Sequence, residues 1–238
     1  MELANFLAYG KQQFLPNLSI DLVIIGFQKD ELKCLLLKIG SKWVLPGGHI
    51  KIDESVDTAV GRILEERTAL KNPHFKFLAV FGDKDRNFEE EFKSFFAAKG
   101  LPWQEGHWLT DRFVTLAYYS LVDIDRIDPK PGEFDEAVAW FSFDALPDIA
   151  LDHDVIVAKA RNRLREDIQR EQLTYKLLPT EFTMPELHRL HEKILSEKLD
   201  RSRFQKKMLG SGLFERLPKR KKDGPGSNPY QYRLAQKN

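Results

Sequence analysis

Gly47 and Gly48 follow the apolar pair Leu45-Pro46, and two residues without a Cβ let backbone N–H groups come close to an anion such as a phosphate. A stretch rich in charge comes next, with Glu54, Arg62, Glu65, Glu66 and Arg67. Within it Val56, Ala59, Val60, Ile63, Leu64 and Leu70 recur at three- and four-residue spacing, which predicts a helix that buries one face. Asp53 or Ser55 can cap it. A second group of chemically useful residues lies near the C-terminus, where Arg201, Arg203, Gln205, Lys206 and Lys207 share a helix-like segment and Lys219-Arg220-Lys221-Lys222 forms a basic run. Guanidinium and ammonium groups at this density suit a polyanion.

From Gly47 to Leu70 the chain resembles the Nudix box. Gly48, Glu54, Arg62, Leu64, Glu66 and Leu70 fall on that pattern in register, after the Leu-Pro-Gly-Gly that usually precedes it. Ile63 and Arg67 stand where the family has glutamates, and Ala69 replaces its glycine. In an active member, carboxylates at positions 63 and 67 share a helix face and hold Mg²⁺ against a pyrophosphate. An apolar branch cannot ligate a hard cation, and a guanidinium repels one while matching a phosphate. The resemblance therefore implies a Nudix domain that binds without cutting. It places phosphate at Gly47, Gly48, Arg62 and Arg67, with Arg86 and Arg112 flanking the same end of the sheet. No residue is assigned to a metal.

The chain has 238 residues, 42% hydrophobic and 31% charged, enough for a sizeable core plus a small second domain. Cys34 is the only cysteine, which excludes an intramolecular disulfide and fits a reducing compartment. The first residues have neither the basic start nor the apolar core of a signal peptide, and no apolar run is long enough to span a bilayer. A cytoplasmic protein with no membrane partner is expected. Of 37 Lys/Arg and 36 Asp/Glu, twelve and three lie from Lys198 onward, leaving 25 and 33 before it, so a segment of net +9 follows a body of net −8. Such asymmetry predicts a basic module on an acidic sensor.

Strand-like runs cover 17–27, 33–39, 75–83, 112–122 and 137–143, and with the box helix they give an α/β class, a Nudix-type α/β/α sandwich with a mixed sheet. The insert 84–111 is long for a connection, and its Phe92, Phe95, Phe96, Trp103 and Trp108 predict a packed lid or dimer-contact element. A long helix over 149–169 is capped by Asp152 or Asp154, with His153 at its start. The domains are expected at 1–172 and 173–238.

In the second domain Thr183 caps a helix with Leu187, Leu190, Ile194 and Leu195 on one face, and Asp200 caps a second with Phe204 and Met208 inward. A basic Gly/Pro-rich hairpin follows, so the order is that of a winged helix, with the second helix suited to a major groove and the hairpin turn to phosphates. The strand at 113–121 and the segment 146–153 resemble the Nudix-related transcriptional regulators, and this likeness implies double-stranded operator DNA, an ADP-ribose-like or sugar-related effector, and a homodimer. No cofactor is then required. The rival reading is an active Mg²⁺-dependent Nudix hydrolase of nucleoside diphosphate derivatives, with Glu65 or Glu66 catalytic and Glu89, Glu90 or Glu91 of the insert supplying a missing ligand.

Overall fold

The computed structural model describes residues 3–71, 73–84, 86, 88–132, 135–171, 173–221 and 228–235. Helix α1 (Leu3–Gln13) leads into the long strand β1 (Phe14–Gln28), followed by β2 (Glu31–Ile39), β3 (Lys42–Val44) and β4 (Gly47–Lys51). The box helix α2 (Val56–Thr68), β5 (Lys76–Phe81), α3 (Glu89–Ala98), β6 (Val114–Leu121), β7 (Ala137–Ser142) and α4 (His153–Arg170) complete the first body. Its sheet runs β3-β2-β1-β6-β5, with β4 added to β1 and β7 to β2. The β1–β6 pair is parallel and its neighbours are antiparallel, so the sheet is mixed.

Both faces of β1 are buried, which is why it reads as a continuous apolar run rather than an alternation. Ile20, Leu22 and Ile24 pack with Ala59, Val60, Ile63 and Leu64 of α2. On the other face Val23 and Ile25 join Ile156, Val157, Ala160 and Leu164 of α4. Cys34 is fully buried in that second cluster, and burial pushes its thiol up and keeps it unreactive.

Helix α1 is absent from the expectations above. It is held by the insert: the Trp108 Nε1 donates to Leu7 O at 3.2 Å, and a Cβ on Gly10 would lie 2.3 Å from the Trp108 ring. The insert thus packs on the N-terminal helix, with Phe95 and Phe96 buried and Phe96 edge-on to Trp103 and His107.

The C-terminal part holds β8 (Phe182–Thr183), α5 (Met184–Leu195), α6 (Arg201–Gly210), β9 (Phe214–Lys219) and β10 (Tyr230–Leu234), the strands forming a small sheet in the order β8-β10-β9. Thr183 and Glu186 build a capping box at the start of α5. Leu187, Leu190 and Ile194 of α5, with Phe204 and Met208 of α6, enter the same cluster as Val23, Leu36 and Ile168. The winged helix and the sheet domain are therefore joined by one continuous apolar core. Among the described residues no helix is long and apolar enough to cross a membrane.

Candidate functional site

At the box, Ser55 caps α2 by accepting from Thr58 N. Arg62 Nη2 donates to Glu54 Oε1 at 2.6 Å and to His49 O at 2.9 Å, its Nε reaches Glu54 Oε2 at 3.0 Å, and Nη1 reaches Glu66 at 3.3 Å. The hydrogen bond from Arg62 holds the Glu54 carboxyl below the usual carboxylate range, and Lys51 N also donates to it at 2.8 Å. These bonds staple β4 to α2 across the intervening turn, so Arg62 serves as a brace there.

Gly47 and Gly48, expected to approach a phosphate, lie at the start of a strand. They open β4 and pair with Asp21 and Ile20 of β1. A Cβ on Gly47 would lie 2.6 Å from Ile20 O, and one on Gly48 would lie 3.0 Å from Ile63 Cδ1. Close packing of strand on strand and strand on helix is the local reason for glycine here.

Ile63 is 1% exposed within the α2 core. Arg67 Nη1 donates to Asp135 Oδ2 at 2.5 Å, and that carboxylate also accepts from Gly132 N at 3.0 Å. Arg67, expected to face phosphate, is thus occupied in fastening the segment that leads into β7. Glu65 and Glu66 are exposed, and Ala69 closes the helix with φ 58°, a conformation easier for the family's glycine. The residues present do not fit a divalent cation: one of the two key positions is apolar and sealed, the other cationic and paired. Among the described residues no group of three or more His, Cys, Asp or Glu converges on a metal position.

On the opposite face lies a cluster that the sequence did not reveal. Arg86, 6% exposed, donates through Nε and Nη2 to both oxygens of Asp152 at 2.9 and 3.2 Å, through Nη1 to Phe113 O at 3.1 Å, and lies 3.4 Å from Asp21 Oδ2. His153 accepts from Leu45 N on Nδ1 at 2.9 Å and places Nε2 3.5 Å from Asp21 Oδ1. Burial pushes the Asp21 carboxyl up, but His153 and Arg86 outweigh it and hold it below the usual range. Asp152 sits at the expected cap of α4 without capping it, because its carboxylate is committed to Arg86. The signal available in advance was Asp21 itself, an acid inside an apolar strand. Arg112, the last of the four arginines expected at an effector, is exposed and donates to Gly82 O at 2.6 Å. Arg62 and Arg67 ride on α2, and Arg86 pairs with Asp152 at the start of α4.

The half-buried His49 and the buried His191 set a pH response. Burial pushes His49 down to about 4, among Phe6, Phe14, Trp108 and Phe113, and pushes His191 down to about 3 beside Phe204. Both are depressed below their unfolded value, so their contribution is intact above about pH 6.5 and is lost as pH falls toward the folded value. Each is expected to cost about 1.4 kcal/mol per pH unit within that window. Urea midpoints at pH 7 and pH 5 test this, and equal midpoints would exclude neutral burial of both rings.

In the winged helix, Asp200 accepts from Arg203 N at 2.7 Å and caps α6. Phe204 and Met208 are buried, while Arg201, Arg203, Gln205, Lys206 and Lys207 are exposed. Lys219, Arg220 and Lys221 are exposed on the hairpin, and Lys222 lies outside the described residues. A cleft of roughly 700 Å³ brings Arg201 and Gln205 of α6 together with Lys219, Arg220 and Lys221, and Arg189 of α5, which the sequence reading passed over, lines it too. Arg216 and Lys219 lie over the Tyr230 ring at 4.6 and 5.2 Å, and Arg220 pairs with Glu186 at 3.2 Å. His188 and His191, spaced like ligands, are packing groups: His188 Nε2 is 2.9 Å from Leu199 O and His191 Nε2 is 2.7 Å from Thr174 Oγ1.

Known proteins match both bodies. The model of the NUDIX domain fits residues 16–160, and the model described as the NrtR DNA-binding winged helix domain fits residues 174–234. A protein of Acinetobacter baylyi named ADPR responsive transcriptional repressor NtrR is 27% identical over 242 residues, covering 97% of this chain and 87% of the relative. The crystal structure of Shewanella oneidensis NrtR complexed with a 27mer DNA superposes with a TM-score of 0.69 at 24% identity, over 92% of this chain and 93% of the other. A MutT/nudix family protein from Enterococcus faecalis gives 0.66 at 24% identity, over 99% and 94%. Both structures share this fold.

Proposed function

Because the chain belongs to the NUDIX domain family, we propose that it is a ligand-responsive transcriptional regulator whose NUDIX domain has given up hydrolysis for sensing. The observation that carries this reading is the fusion of a basic winged helix to a box in which Ile63 is sealed in the core and Arg67 is tied to Asp135. Duplex DNA is the partner of the winged helix, and the charge on α6 and the hairpin supports it. ADP-ribose or a related nucleotide is the effector; the name of the Acinetobacter baylyi relative supports that choice. The working form is a cytoplasmic homodimer that needs no metal.

A route from sensor to reader exists in helix α4. Its first residues hold Arg86, Asp21 and the Leu45 N–H beside Gly47, while further along Arg165 donates to Ile194 O at 3.1 Å and to Ser196 Oγ at 2.9 Å at the end of α5. A ligand that displaces the β4 entrance would load this helix, and the helix bears on the winged helix.

The test has two arms. Calorimetry without metal should detect ADP-ribose binding, and the same ligand should change affinity for duplex DNA. With Mg²⁺, the protein should turn over ADP-ribose far below the roughly 1 s⁻¹ of an ordinary enzyme. Turnover at that level, abolished by Glu66→Gln, would establish the hydrolase instead. Restoring the family glutamate by Ile63→Glu is not a clean converse, because a carboxylate buried against Gly48, Ile20 and Leu22 destabilises the fold.

A further inference from the structure

The β1–β2 turn consists of Lys29 and Asp30, both at left-handed φ of 53° and 59°, between the paired residues Gln28 and Glu31. Turns of this geometry favour Asn-Gly, since a side chain at positive φ is strained. The strain at Asp30 accompanies a specific contact: its Oδ1 accepts from Arg189 Nε of α5 at 2.9 Å. Arg189 in turn lines the basic cleft with Arg201, Gln205 and Lys219. A carboxylate of the NUDIX body therefore reaches across to a cation of the DNA-facing surface. The pair is 48% and 54% exposed, so water and salt screen it and exchange is easy.

Resting on the DNA-binding reading above, we propose that Arg189 is a further contact to the DNA backbone and that Asp30 is a phosphate stand-in that holds its guanidinium until a phosphate replaces it. The chemistry is the same in both states. A guanidinium binds carboxylate and phosphate oxygens alike, and a DNA phosphate arrives with a condensed counterion to release, which Asp30 lacks. The contact is to backbone and carries no base preference. It also places one acid of the sensing body within the binding equilibrium of the reader, so a ligand that shifts the β1–β2 turn changes how readily Arg189 is released.

Fluorescence anisotropy of the full-length chain on a labelled duplex of arbitrary sequence, titrated across salt, decides the matter. Arg189→Ala should weaken binding and flatten the slope of log K against log salt by about 0.9 for each protomer that contacts the duplex. Asp30→Asn keeps the turn, because asparagine tolerates left-handed φ, and should tighten binding about two- to fivefold. In the Arg189→Ala background the same Asp30→Asn change should have no effect. An equal gain in both backgrounds would mark a general charge effect and overturn the proposal, as would an unchanged slope for Arg189→Ala. Salt-independent binding by the unaltered chain would overturn the DNA-binding reading itself.

Discussion

Raising salt from about 50 to 200 mM should cost the protein about 10³- to 10⁵-fold in affinity for duplex DNA. Each phosphate neutralised contributes about −0.9 to the slope, so six to ten contacts generate that range. The structure supplies the donors: Arg201, Arg203, Lys206 and Lys207 on α6 and Lys219, Arg220 and Lys221 on the hairpin, all exposed. Arg220 will count for less than its neighbours because Glu186 already pairs with it. The donors should separate by role. Lys221→Ala should weaken all sequences similarly and reduce the slope, whereas Arg203→Ala or Gln205→Ala should erode discrimination between operator and random DNA, since groove-facing side chains read base edges. Two such readers on a twofold axis predict half-sites about one helical turn apart. A flat salt profile, or one untouched by Lys221→Ala, would remove DNA from these surfaces.

The other large effect is on stability. Arg86→Met leaves the buried Asp21 and the partly exposed Asp152 without their shared cation, and removing one partner of a buried set typically costs about 3–5 kcal/mol. Lysine should rescue little, because one ammonium cannot reach both oxygens of Asp152, Asp21 and Phe113 O as the guanidinium fork does. The deficit should narrow as pH falls: without Arg86 the Asp21 carboxyl titrates higher in the fold, and protonation removes the unpaired charge. Asp21→Asn combined with Arg86→Met should regain part of the loss. Urea unfolding reads all three variants, and a penalty below about 1 kcal/mol for Arg86→Met, the level of an exposed pair, would show that the cluster is solvated.

What could be read beforehand follows from how local each signal is. The spacing of Val60, Ile63 and Leu64 fixes a buried helix face because the period is contained within α2 itself. The Thr183 cap, and Phe204 with Met208, are legible for the same reason: cap and apolar pair sit within one or two turns. Periodicity does not say what covers a face, so the burial of α5 against β2 and α4 was invisible, as was the joint core. Arg67 and Arg86 are a harder case. A guanidinium suits a phosphate and a carboxylate equally, and the competing carboxylates, Asp135 for Arg67 and Asp152 for Arg86, lie more than sixty positions away in the chain. Gly47 and Gly48 are ambiguous in the same manner, because close approach of a backbone strand makes the same demand as close approach of an anion.

The continuous core beneath both bodies bears on how such a protein can diversify. If sensor and reader were beads on a linker, recombination could exchange one reader for another without cost to the sensor. Here Leu187, Leu190 and Ile194 fill space beside Val23, Leu36 and Ile168, so a transplanted reader must bring matching apolar shapes or leave that face wet. Inheritance of the pair as a unit, with change confined to exposed α6 side chains and the hairpin tip, is the path that keeps the chain folded while its target sequence drifts.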